Sequence, residues 1–196
     1  MIEYEGLKIE TCNDVYIPSE DSFLFADNLN VNPEDDVLEI GPGTGIISLT
    51  ASKTAKNVTC IDINPKAVNC TNRNVKLNNI QNITVLEGDL FEPVKDKKFD
   101  LILFNTPYLP TDELDMADDL LTKAWDGGED GRDTIDRFLN ELKKHLNKGG
   151  KVQLVQSSLS DNKKTCRKLK KLGFSVEITA NEHIFFEDIT VISGRL

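Results

Sequence analysis

From residue 36 onward, short apolar runs rich in Val, Ile, Leu and Phe alternate with longer segments whose apolar residues recur at helical spacing. That alternation predicts a mainly parallel sheet covered by helices on both faces. The runs at 37–40, 58–62, Ile83–Glu87 and Phe99–Asn105 are its first four strands, with helices over 45–54 and Pro65–Leu77 between them. Asn64 stands as N-cap of the second helix and Pro65 at its first position. A helix over 133–146, a fifth strand at 151–156 after Gly149 and Gly150, and a basic helix over 161–172 continue the order.

Two last runs, 174–179 and 187–193, are joined by a polar link too short for a crossover helix, so they pair antiparallel. The expected fold is a doubly wound, mainly parallel, seven-stranded α/β sheet with an antiparallel final strand. It resembles the Rossmann-like class I methyltransferase fold. Ahead of the sheet, residues 1–10 alternate acidic and apolar side chains, and 16–24 read as a loop entering a helix. Ser19 is the expected N-cap there, with Glu20 and Asp21 in the first turn. The one connection beyond ordinary length, 106–132, marks a functional or mobile loop.

A chain of 196 residues falls within the size of one domain and buries a core without disulfides or structural metal. No apolar run approaches the roughly 18 residues of a membrane span, so membrane association is not expected. The four cysteines, Cys12, Cys60, Cys70 and Cys166, have neither zinc-ligand nor disulfide-framework spacing and suit a reducing cytoplasm. A net charge of −10 disfavours direct nucleic-acid binding. The one basic cluster, Lys163, Lys164, Arg167, Lys168, Lys170 and Lys171, reads as the solvated face of its helix. His145 and His183 lack ligand-spaced companions and are expected in surface or capping roles, so no metal is expected.

The first strand runs into Glu39-Ile40-Gly41-Pro42-Gly43-Thr44-Gly45, where Gly41, Gly43 and Gly45 permit a tight turn and close approach of backbone to a ligand at a helix N-terminus. A nicotinamide-binding loop competes for this reading, as does a plain strand-to-helix turn. Asp62 ends the second strand about 20 residues on, where a carboxylate accepts from both hydroxyls of a ribose. The third strand ends in Glu87-Gly88-Asp89-Leu90, where Asp89 is placed to accept from an adenine amino group and the Leu90 amide to donate to the ring. Three acids, Glu39, Asp62 and Asp89, favour a cationic amino-acid nucleoside over a pyrophosphate. S-adenosyl-L-methionine meets that description, and NAD does not.

The fourth strand ends in Asn105-Thr106-Pro107-Tyr108, which resembles the Asn-Pro-Pro-Tyr motif of methyltransferases acting on planar NH2 groups. The Asn105 side-chain carbonyl and the backbone carbonyl of Thr106 would accept the two N–H bonds of such a nitrogen, Pro107 shapes the turn, and Tyr108 offers a face for stacking. Thr106 departs from the family proline, which is expected to loosen the turn while leaving the accepting carbonyl in place. Replacing Thr106 by Pro is therefore expected to preserve or improve transfer, provided the residue 106 N–H has no essential partner.

The segments at 15–23 and 125–132 are similar to the flanking motifs of HemK-like release-factor glutamine methyltransferases, and the likeness covers nearly the whole chain. The short N-terminal region is similar to the eukaryal and archaeal branch. The resemblance implies that residues 1–34 cover the cofactor and 35–196 form the core of a single domain. It also implies that Ser22 contacts S-adenosyl-L-methionine together with Glu39, Gly41, Asp62, Asp89, Leu90 and the strand-end Asn105. The implied substrate is the glutamine of the Gly-Gly-Gln loop of a class 1 translation release factor, and the implied partner a small zinc-binding activator docked on the open edge of the third strand. Rival readings are a methyltransferase for the exocyclic amine of adenine or guanine and a cofactor-binding scaffold without catalysis.

Overall fold

The computed structural model describes residues 1–109, 127–184 and 186–196. Most of the long loop, including Trp125 and Asp126, therefore lies outside the described residues. A hairpin of β1 (Ile2–Tyr4) and β2 (Leu7–Ile9) opens the chain. It turns through Glu5 at φ 45° and Gly6 at φ 79°, the paired positive angles of a tight hairpin turn. α1 (Glu20–Asp27) follows, and Ser19 precedes it as expected but gives no side-chain cap.

The core then runs β3 (Asp36–Ile40), α2 (Ile46–Ser52), β4 (Asn57–Asp62), α3 (Pro65–Leu77), β5 (Ile83–Glu87), β6 (Phe99–Asn105), α4 (Asp133–Glu141), β7 (Leu146–Ser157), α5 (Asn162–Lys171), β8 (Ser175–Ile184) and β9 (Glu187–Arg195). Asn64 caps α3 by accepting from the Lys66 amide at 2.9 Å. The helix expected over 133–146 ends at Glu141 and tightens into a 3-10 turn, Leu142–His145. β7 starts earlier than expected, because the ladder jumps from Phe99 opposite Leu146 to Leu101 opposite Lys151 and takes the glycine pair up in that irregularity.

The strand order is β5-β4-β3-β6-β7-β9-β8, with β9 antiparallel to both neighbours and β5 at one edge. This is the seven-stranded, doubly wound sheet that the alternation predicts. Both faces are covered, and the apolar runs divide between them by parity. Leu38, Ile102, Phe104 and Leu154 face α4 and α5, whereas Val37, Leu101, Leu103 and Val155 face α1 and α2. Order reverses between β3 and β6, which opens a crevice at the carboxyl ends of the central strands.

Several sequence expectations need correction. Cys12 and Cys70 form a disulfide, with Cα atoms 6.1 Å apart, although 58 positions separate them. The spacing concealed the pair because the fold itself brings the segment after β2 against α3, where the Asn74 and Asn78 amides also hold the backbone of Glu10 and Lys8. His145 is buried rather than superficial: it stacks on Phe91 at 4.3 Å and its Nδ1 meets the Lys97 carbonyl at 3.1 Å. His183 lies in β8 and contacts Asp188 at 3.0 Å. Part of the basic helix face is also engaged, since Lys164 and Lys168 both reach Asp136. Among the described residues no helix is long and apolar enough to cross a membrane, and no His, Cys, Asp or Glu group could hold a metal ion.

Candidate active site

A cavity of about 540 Å³ occupies the crevice at the strand ends, a size suited to a nucleoside-containing small molecule. Ser22, Glu39, Gly41, Gly43, Asp62, Asp89, Leu90, Asn105, Thr106, Pro107 and Tyr108 all line it. Gly45 stands just behind, where it turns the chain into α2 at φ 89°. A Cβ on Gly45 would meet Thr71 Cγ2 at 2.9 Å, and Thr71 in turn donates to the Gly43 carbonyl, so α3 is the brace behind this loop.

Glu39 takes a core position on the α2 face of β3 and is 1% exposed. The Ser48 hydroxyl donates to it. Burial pushes its carboxyl up to about 8, against the ordinary 4.5, and the nearby Asp62 adds to the rise. Asp62 also titrates above the usual carboxylate range because it is buried, although the Gly43 and Asn64 amides donate to it at 3.1 and 2.9 Å and oppose that shift. Neither acid has an ion-pair partner among the described residues. Asp89 differs: it reaches the cavity, but its Oδ2 is engaged by Arg137 of α4, a residue that sequence reasoning missed.

The Glu39 shift carries a stability prediction. The unfolded carboxyl loses its proton near 4.5 and the folded one near 8, so between these values the folded protein binds more protons. Stability of the ligand-free protein should fall as pH rises through that window. Urea unfolding at pH 5 and pH 8 measures this, and Glu39→Gln should flatten the difference between them. An equal slope in the variant would assign it to other groups.

Asn105 ends β6 with its side-chain Nδ2 donating to Asp21 Oδ2 at 2.8 Å. Its Oδ1 is buried and has no hydrogen-bond partner. Thr106 is 3% exposed, and both its amide and its hydroxyl donate to the Val155 carbonyl, at 3.3 and 2.7 Å. The turn is therefore tied to β7, contrary to the expectation that threonine loosens it. Tyr16 and Tyr108 keep their phenol protons well above the ordinary range, chiefly through burial and then through the Asp21 carboxylate. Gly131, at φ 68°, packs so closely that a Cβ there would lie 2.4 Å from the Tyr108 carbonyl. A Cβ on Gly127 would in turn lie 2.5 Å from the Gly131 carbonyl carbon, so close main-chain packing accounts for these two glycines of the second flanking motif. Arg132 of the same motif is buried, with Nη1 donating to the Asp161 carbonyl and Thr165 hydroxyl at 3.1 and 3.0 Å, a structural anchor for α5.

The family model described as the methyltransferase small domain matches residues 19–186. A Methanocaldococcus jannaschii protein, provisionally named a protein N5-glutamine methyltransferase, is 52% identical over 195 residues, which cover 99% of this chain and 98% of that one. Mouse methyltransferase HEMK2 is 32% identical over 82% of this chain and 79% of its own. Among solved structures, that of the E. cuniculi Mtq2-Trm112 complex, responsible for methylation of the eRF1 translation termination factor, superposes with a TM-score of 0.73 at 25% identity, covering 93% of this chain and 98% of that one. The chain belongs to the methyltransferase small domain family and stands among its HemK-like protein-glutamine methyltransferases.

Proposed function

We propose that this chain is an S-adenosyl-L-methionine-dependent methyltransferase that N5-methylates the glutamine of the Gly-Gly-Gln loop of a class 1 translation release factor. The observation that carries the reading is the Asn105 Oδ1, a buried acceptor without a partner at the rim of a cavity with carboxylates on its other wall. An unmade buried hydrogen bond costs about 1–3 kcal/mol, and a substrate N–H supplies it. The donor set fits the cofactor: Glu39 would hold its amino-acid cation, Asp62 would accept from its ribose hydroxyls, and Asp89 with the Leu90 amide would hold its base. Gly41, Gly43 and Gly45 let the backbone approach, and Ser22 belongs to the segment 1–34 that covers the site. When bound, the cofactor supplies an electrophilic methyl group.

This chain's own part is alignment. Asn105 Oδ1 and the Thr106 carbonyl accept the two N–H bonds of the substrate amide, Tyr108 stacks against its plane, and the buried surroundings exclude water. An amide nitrogen is a poor nucleophile, so in-line placement and polarised N–H bonds carry the acceleration. A release-factor substrate places the work in the cytoplasm.

The test is to incubate the protein with labelled S-adenosyl-L-methionine and, separately, with release factor, duplex DNA, tRNA and histone. Label should enter the release factor on its glutamine. Label in nucleic acid alone would move the reading to an exocyclic-amine methyltransferase, and no transfer to any acceptor would leave a binding scaffold.

The proposed activator partner is a small zinc-binding protein docked on β5, the edge strand whose Ile83, Val85 and Leu86 are half-buried. An unpaired edge of this kind invites strand addition. Val85→Lys, checked for fold by circular dichroism, should abolish co-purification with such a protein. Retained co-purification would remove β5 from the interface.

A further inference from the structure

Asp21 sits in the first turn of α1, where an acid needs no explanation beyond the helix dipole. Its surroundings ask for more. The side chain is 5% exposed, and both carboxylate oxygens are engaged. Oδ1 accepts from the Ser22 amide at 2.6 Å, the Ser22 hydroxyl at 3.1 Å and the Tyr16 phenol at 3.2 Å, while Oδ2 accepts from Asn105 Nδ2 at 2.8 Å. A carboxylate accepts, so the Asn105 amide has one compatible orientation, with nitrogen toward Asp21 and oxygen turned away from it. That oxygen is the buried acceptor left without a partner, on a residue that lines the cavity.

We infer that Asp21 is the positioning residue that fixes which end of the Asn105 amide meets the substrate, and so makes the site select an NH2 group over a carbonyl or carboxylate. The inference rests on the NH2-clamp reading of Asn105 and adds the origin of its polarity. Without a pure acceptor behind it, an asparagine side chain is free to turn over and present a donor, against which a substrate N–H has nothing to bond. Discrimination of glutamine from glutamate then resides in a residue outside the Asn105–Tyr108 motif.

Asp21→Asn preserves shape and inverts this polarity. Three donors at the Oδ1 position hold the new carbonyl there, so the new NH2 group faces Asn105 and turns its amide over. Single-turnover transfer should fall about 100-fold or more, as when an oriented acceptor is lost, while affinity for the demethylated cofactor stays within about threefold by calorimetry. Asn105→Asp alone sets two carboxylates face to face and should also fail. The double variant Asp21→Asn/Asn105→Asp restores a donor behind and an acceptor in front, so transfer should recover at least about tenfold over Asp21→Asn.

A second readout needs no turnover. With demethylated cofactor present, a Gly-Gly-Gln peptide should bind the wild type better than its Gly-Gly-Glu counterpart, and Asp21→Asn should erase or reverse that preference. Should Asp21→Asn fail to fold, the double variant is measured against Asn105→Asp instead, and a double variant no faster than Asn105→Asp overturns the inference. Normal transfer and an unchanged peptide preference in Asp21→Asn, beside a disabled Asn105→Ala, would sink the positioning role and leave the clamp standing. Normal transfer in Asn105→Ala would remove the clamp itself.

Discussion

Asn105→Ala should bind the demethylated cofactor almost as well as the wild type and yet transfer methyl about two orders of magnitude more slowly, or worse. The two effects separate because the proposed cofactor wall and the proposed substrate wall of the cavity are built from different strands. Glu39 and Asp62 belong to β3 and β4 and keep their own partners, Ser48 and the Gly43 and Asn64 amides, whatever stands at position 105. Asn105 ends β6, and its free Oδ1 engages none of them. On the clamp reading its removal costs the substrate one of two acceptors, and it also takes from the Asp21 Oδ2 its Asn105 donor, a lost hydrogen bond that reinforces the loss. Single-turnover transfer measured beside cofactor affinity decides the matter. Near-normal transfer would show that the NH2 group is held by something else.

The sheet was legible because its strands are buried on both faces: runs such as 101–104 have no polar interruption, and helical periodicity fills the intervals between them. Glu39 was legible for the complementary reason, as an acid in a run where every neighbour is apolar. What could not be read are relations that only the fold creates. Asp21 looks like a first-turn acid until β6 brings Asn105 to it from 84 positions away. Arg137 meets Asp89 across 48 positions, on a helix whose pattern announces only a buried apolar face. The alternation in residues 1–10 was a strand signal, but each strand has only three residues and the turn uses Glu5 at positive φ, a position more often held by Asn or Gly. The Cys12–Cys70 pair likewise has no local signature.

Thr106 shows how a motif can be matched while the condition on its proline substitution is decided by the fold. By analogy with the family, Thr106→Pro should restore a stiffer turn and keep the accepting carbonyl. The Val155 carbonyl reverses that expectation. It takes both the Thr106 amide and the Thr106 hydroxyl, at 3.3 and 2.7 Å, on a residue of β7 that is itself fully buried. Proline deletes both donors, and its ring has nothing to offer a carbonyl oxygen. An acceptor buried without a partner costs about 1–3 kcal/mol, so Thr106→Pro should lower stability by that amount in denaturant unfolding. Thr106→Val separates the contributions, since it keeps the amide and the shape and loses the hydroxyl. It should fall between the wild type and the proline variant. Transfer should follow stability downward in both, because Asn105 is the last residue of β6 paired with β7 and its carbonyl geometry depends on the chain leaving the strand at a fixed angle. A proline variant as stable as the wild type, with equal or faster transfer, would mean that the threonine contacts are replaceable and that the stiff family turn suits this chain after all.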